Sequence, residues 1–415
     1  NLEITNDDNL NVNSNEKNRQ GILVRAENAG RLSHIYIRNC YVHDVDGLTE
    51  DKDGLVAKTS GGIIFDVQGK DVPSWFDDVI VEENHVKNCD RQGIIVTRNI
   101  WWEDTYGERK VWYPSTNIYI RRNLVEDIQG DGIVAVHSKS PVIEYNKAIR
   151  CALYQPSDPS AEWAAAAIWL FACDDGVIQY NEVYDTGYGG KDGYAYDADY
   201  SCNRTIIQYN YSQNNKKGFA LIIGRSTSFN NQPVIRYNIS VGDGYMGDRV
   251  INFMGPVTDA QIYNNLFITY ADRPATTVVV EKYGTQLPCT GSLYNNIFVN
   301  FSNRPIFNDL NNDSGKINIT FNNNLYYGSE SYRADSDLNA IFGNPLFAGG
   351  EDIQDIEIID KRDENKLKLT SNSPCIDRGV NVSNNGGYDY YGQVLYNNLP
   401  DIGHCEYWED GNTYY

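Results

Sequence analysis

The 415-residue sequence has no run approaching 18 consecutive apolar residues, so it contains no candidate transmembrane helix. It is poor in positive charge, with 35 Lys and Arg against 56 Asp and Glu, a formal net charge of −21. A surface this acidic repels phosphate backbones and anionic membranes at long range, which excludes a general nucleic-acid binder and leaves neutral ligands unpenalised. None of the eight cysteines stands in a CxxC pair, against a zinc ribbon or a thioredoxin-type site. Cys375 and Cys405, both in the loop-rich C-terminal part, are the two that could form a disulfide. Phosphate-binding glycine loops, HExxH and GxSxG are all absent.

What the chain does have is 41% hydrophobic residues, enough for a large core, and an internal repeat. A short β-branched run ending in Asn recurs at Asn84, Asn123, Asn146, Asn181, Asn210, Asn238, Asn265 and Asn296, at spacings of 39, 23, 35, 29, 28, 27 and 31 residues. Asn39 and Asn324 extend the series. A unit of roughly 20–30 residues with several short strands and Asn at one turn is what a parallel β-helix requires. Each coil buries aliphatic residues against its neighbours. Asn tolerates a left-handed turn, and its amide can bond its counterparts in adjacent coils. A leucine-rich repeat would need regular Leu spacing and a helix per unit, and a propeller four strands per blade; neither pattern is present. The expected fold is therefore all-β, a right-handed single-stranded parallel β-helix over residues 1–347, with a loop-rich capping region over 348–415. The sequence opens as strand, so a leader and an N-terminal cap are expected to precede Asn1 in the natural protein.

The Asn-turn frame, the segment Tyr196-Asp197-Ala198-Asp199 with Ile206-Ile207-Gln208-Tyr209-Asn210, and the closing SPCIDRG and PDIGHCEY resemble secreted right-handed β-helix proteins of the pectin-lyase-like superfamily. Within that group the chain is more similar to bacterial polysaccharide-degrading hydrolases and lyases than to viral tail spikes. The resemblance implies a secreted, cell-surface or periplasmic protein acting on carbohydrate, although one fold hosts many activities.

A second series of strands follows in each coil, often introduced by Gly: Gly62-IIFDV, Gly93-IIVTR, Gly132-IVAVHS, Ala167-IWLFACDD, Gly193-YAYDAD, Gly218-FALIIGR, Arg249-VINFMG and Thr277-VVVEK. Aligned, they place a line of polar residues outside the coil. Rungs of a β-helix are about 4.8 Å apart, so acids distant in sequence converge. Carboxylates on adjacent or nearby rungs suit a retaining or an inverting glycosidase, and a raised pKa on one supplies the general acid. Asp197 and Asp199, on one face of a strand, are the first choice for a catalytic pair, with Asp174 or Asp175 on the preceding rung as partner and His137 to orient a carboxylate or act as acid/base. Each of these acids could instead hold calcium or cap a turn, although no cofactor is required by the reading. Arg98, Arg225 and Glu281 are candidate sugar contacts. Trp101, Trp102 and Trp112, in a loop too long for a simple turn, offer faces on which sugar rings stack; Trp169 is expected in the core.

The expected activity is hydrolysis of a polysaccharide or oligosaccharide in a lateral groove, with a monomeric or homo-oligomeric protein binding no nucleic acid and inserting into no membrane. The alternatives are a lyase acting by β-elimination on a uronic-acid polymer, with calcium on the aspartates and Arg98, His137, Arg225 or a lysine as base, and a non-catalytic glycan-binding surface protein.

Overall fold

The computed structural model describes residues 2–7, 18–49, 57–98, 111–155, 164–187, 192–247, 249–282, 288–310, 316–329, 336–350 and 365–409. Its strands lie in three long parallel sheets, two of twelve strands and one of ten, and the chain visits the three in turn on every coil. One twelve-stranded sheet precedes the asparagine turn (Trp75–Glu82, Ser115–Arg121, Val142–Glu144 and onward), and the other follows it (His85–Cys89, Leu124–Ile128, Lys147–Ile149 and onward). The ten-stranded sheet holds the second series of strands.

The asparagines form the expected ladder. From Asn84 through Asn123, Asn146, Asn181, Asn210, Asn238, Asn265 and Asn296 to Asn324, each Nδ2 donates to the Oδ1 of the next at 2.9–3.1 Å. Each also donates to a backbone carbonyl of an earlier coil, as Asn210 does to Ile178 O at 2.9 Å. Asp337 closes the series by accepting from Asn324 at 2.8 Å. The left-handed backbone angle falls one residue earlier than expected, on Glu83, Arg122, Tyr145, Tyr180, Tyr209 and Tyr237. Asn39 takes that position, so Cys40 occupies the rung where a ladder asparagine would stand. Tolerance of positive φ is therefore not what selects Asn at the rung. Its amide satisfies a buried carbonyl and a neighbouring amide at once, where an unmet polar group would be costly.

In the ten-stranded sheet Ile63, Ile94, Ile133, Ile168, Tyr196, Ala220, Ile251 and Val278 pair in succession; the first four follow the alignment, but Ile168 pairs with Tyr196, two residues beyond the aligned Tyr194. These side chains fill the interior of the solenoid. The next residue of each strand points outward, giving the column Ile64, Ile95, Val134, Trp169, Asp197, Leu221, Asn252 and Val279, and every member is buried. Glycine introduces several of these strands because a Cβ on Gly93 would collide with the carbonyl of Gly132 on the next rung.

Ile341–Phe342 closes the post-turn sheet by pairing with Leu325–Tyr326. Beyond it the chain runs back along the flank: Gly403 N donates to Asn295 O, Asn264 Nδ2 to Asp401 O, and Tyr209 Oη to Tyr388 O. The C-terminal segment thus covers the corner of the asparagine turn, packing on Ile239, Leu266, Ile297 and Leu325 and on the tyrosine stack Tyr209, Tyr237 and Tyr263. All eight cysteines are free thiols, Cys375 and Cys405 included. No helix among the described residues is long and apolar enough to cross a membrane.

Candidate active site

Asp197 and Asp199 stand on the outward face of Tyr194–Ala198 and its continuation, alternating with the inward Tyr196 and Ala198. Their predecessors in register are Trp169 and Phe171: Trp169 pairs with Asp197, and the Asp199 amide donates to Leu170 O at 2.9 Å. The rings make an apolar floor, with Phe171 also edge-on to Tyr200 at 5.8 Å and facing His137 at 6.3 Å. His137 in turn lies 5.6 Å from Trp112. Arg98 covers the Phe171 ring, its Cζ 4.7 Å from the centroid. The structure therefore gathers Asp197, Asp199, His137, Trp112 and Arg98 from three coils. Trp169, expected in the core, lies outside the coil as part of this floor.

The electrostatics distinguish the two acids. Asp197 is 3% exposed with Oδ1 unpartnered. Burial pushes its carboxyl well above the ordinary range, and the charges of Asp199, Asp192 and Asp131 push the same way. Asp199 is half-buried. Burial raises it to about 7, with Asp192 adding to the rise, while the Tyr200 amide, Lys58 and Arg98 oppose it. Asp131, fully buried, takes donors from Lys58 Nζ at 2.9 Å, Gln92 Nε2 at 2.8 Å, Trp169 Nε1 at 3.0 Å and Ala166 N at 3.1 Å. Burial alone would raise Asp131, but Lys58 and Arg91 outweigh it and hold the carboxyl low.

Two expected partners do not join this group. Asp174 and Asp175 lie past the strand end, in the turn to the pre-turn sheet. Asp174 is in register with Asn203, which donates to it at 2.7 Å, and Asp175 is ion-paired with Arg204 at 2.6 Å in solvent. The pairing expected from strand ends fails because the coil containing Asp197 carries its acids inside the strand, so the rung before it offers rings. Arg225 belongs to a tight turn that exchanges backbone hydrogen bonds with Ser228, whose carbonyl also accepts from Ser201 next to the acid strand. Glu281 follows the Asp199 column by three rungs, about 14 Å, where Arg249 and Asn252 hold it. Trp101 and Trp102 lie outside the described residues. The reading of the sequence missed Asp192, Lys58 and Asp131. Asp192 begins the Gly193 strand and was within sight of the alignment, whereas Lys58 and Asp131 sit in connections with no pattern of their own.

Among the described residues no three His, Cys, Asp or Glu side chains are placed to hold a metal ion. An open groove of about 690 Å³ lies elsewhere, over the outer face of the pre-turn sheet beside Val380–Asn384. Its arginines are spent, Arg204 on Asp175 and Arg236 on Gln208 and Tyr263, and it contains no acid pair. Chemistry favours the ten-stranded face.

Fold and site together define a right-handed parallel β-helix with buried carboxylates on one outer face. The comparisons with known proteins agree. The family described as the right handed beta helix region matches residues 105–234. A lacto-N-biosidase of Bifidobacterium longum subsp. longum is 32% identical over 332 residues, 67% of this chain and 20% of that protein. The native crystal structure of a GH136 lacto-N-biosidase from Eubacterium ramulus is 28% identical, with a TM-score of 0.53 over 71% of this chain and 48% of that one. A complex of XylC with xylose, 16% identical with a TM-score of 0.54 over 91% of this chain and 65% of that one, shares the fold. The chain spans about a fifth of the length of the curated relative it matches, as the 20% coverage states.

Proposed function

We propose that this chain is the catalytic β-helix of a glycoside hydrolase that cleaves an oligosaccharide over the ten-stranded face, with Asp199 as general acid. The observation that carries the reading is a half-buried carboxyl raised to about 7, open to solvent on one side and set on an aromatic floor. Such a group holds a proton at neutral pH and can hand it to the glycosidic oxygen as the bond to the anomeric carbon breaks, while water supplies the hydroxyl that the carbon gains. Asp192, half-buried and acting on both neighbouring acids, is the partner that attacks the carbon or activates the water. Asp197 is too deeply buried to meet substrate; neutral, it keeps a second charge from the cleft. Trp112 and Arg98 border the sugar. Nothing in this scheme calls for a metal or cofactor, and it suits a protein working outside the cell.

The relatives' names, lacto-N-biosidase in both cases, support the same class of reaction and point to an oligosaccharide ending in lacto-N-biose. The test is to incubate the protein with such an oligosaccharide and analyse the products, following the anomer first released. Release of the disaccharide, slowed at least about 100-fold in Asp199→Asn, is the expected result. No release by the unaltered protein, or an unsaturated product instead, overturns the proposal.

A further inference from the structure

Each ring that precedes the acids carries a cation. Lys58 Nζ lies 4.4 Å from the centroid of Trp169, one rung before Asp197, and Arg98 Cζ lies 4.7 Å from that of Phe171, one rung before Asp199. Lys58 comes from a 3-10 turn, Ala57–Thr59, which precedes the strand Gly61–Gln68. Three strands of the sheet separate that strand from the Asp197 strand, so Lys58 reaches the site along the outer face. Its place is fixed by Asp131, the same carboxylate that accepts from the Trp169 indole. One buried anion therefore locks both the cation and the ring beneath it. A cation on a ring is worth on the order of 1 kcal/mol, more when shielded from water, and the ion pair adds a direction that the ring alone would not give.

We propose that Lys58 is a positioning residue of the acid cleft: anchored by Asp131 on Trp169, its ammonium sets the pH range over which Asp199 can deliver a proton. The inference rests on the reading of Asp199 as the acid. The charged groups facing the pair are Asp192 and Asp131, which disfavour ionisation, and Lys58 and Arg98, which favour it. Lys58 itself faces Asp131, Arg91 and Asp199. With three carboxylates around one cleft, its positive charge keeps Asp199 within a useful range rather than locked in the acid form.

The decisive experiment compares the pH dependence of kcat in the unaltered protein, Lys58→Met, Lys58→Arg and Asp199→Asn. Lys58→Met keeps the apolar stem on Trp169 and removes the charge. Asp131 retains Gln92, Trp169 and Ala166 as donors and Arg91 as an ion-pair partner, so the fold survives, which the melting temperature checks. Lys58→Gln serves as a second uncharged variant. The upper limb of the profile should move up by about one pH unit in both uncharged variants, since loss of a nearby opposite charge raises a carboxyl by about that much or more. Lys58→Arg should restore the original limb. A lower melting temperature or kcat with an unmoved limb assigns Lys58 a structural role only and overturns the inference. If Asp199→Asn retains turnover, the assignment of the acid itself fails and takes this inference with it. An inactive Asp199→Asn beside an unmoved Lys58→Met refutes the role of Lys58 alone.

Discussion

Asp197 and Asp199 are two residues apart on one strand, yet the structure assigns them different ionisation, and Asp197→Asn tests the difference. Asp199 is raised to about 7, and Asp197 stands well above the ordinary range with the charge of Asp199 among the causes. An acid with a pKa of about 7 is roughly nine-tenths protonated at pH 6, half at pH 7 and one-tenth at pH 8. Activity that needs the protonated form should therefore fall about fivefold between pH 7 and pH 8. Replacing neutral Asp197 by neutral Asn changes no charge during that titration. The upper limb should stay within about 0.3 pH units, although kcat can fall through altered packing. Asp199→Asn should remove activity by about 100-fold or more at every pH. The assay is initial rate against pH with substrate saturating, in buffers of constant ionic strength. A limb displaced downward by a full unit in Asp197→Asn would show that Asp197 is charged in the working enzyme and would refute the reasoning. Retained activity in Asp199→Asn would refute the choice of acid.

Three further outcomes follow from other parts of the molecule. Asn210→Ala strips Asn181 N and Ile178 O of a buried partner, with hydrogen bonds of 2.9 Å to each, and should cost about 3 kcal/mol in urea denaturation; a loss below about 1 kcal/mol would show that the ladder is incidental. Burial raises Glu406 from its ordinary 4.5 to about 8, with Asp401 adding to the rise, so its folded form holds a proton that the unfolded form releases. The stability tied to it is present below the ordinary value and is lost as pH rises through about 8, on the order of 4 kcal/mol in all. Glu406→Gln should flatten the decline in melting temperature between pH 5 and 9, and an unchanged slope would count against it. Asp175→Asn removes an ion pair with Arg204 whose members are 41% and 52% exposed, so stability should change by less than about 1 kcal/mol and activity hardly at all; a dead variant would move the site to that turn.

Much of the architecture was written in local chemistry. The aliphatic-x-x-Asn frame recurs because every coil must bury apolar side chains and satisfy the same buried carbonyl, and that demand repeats at each turn. It located the ladder and the parallel solenoid, but not the two-residue slip that pairs Ile168 with Tyr196 in the ten-stranded sheet. Period-two alternation likewise placed Asp197 and Asp199 together on an outer face. Asp174 and Asp175 show the limit: their position relative to those acids depends on how many residues each coil spends before its turn, and a shift of a few residues moves them from a strand to the corner. Sequence similarity between strand ends does not fix that count.

The sequence by itself determined the fold and the strand that bears the acids, since both follow from short-range periodicity repeated along the chain. Only the tertiary structure decided the ionisation of those acids and brought Asp131 and Lys58 to them. Burial and Coulomb fields depend on distances across coils, and residues 58, 131, 169 and 199 share no interval that a linear reading could detect.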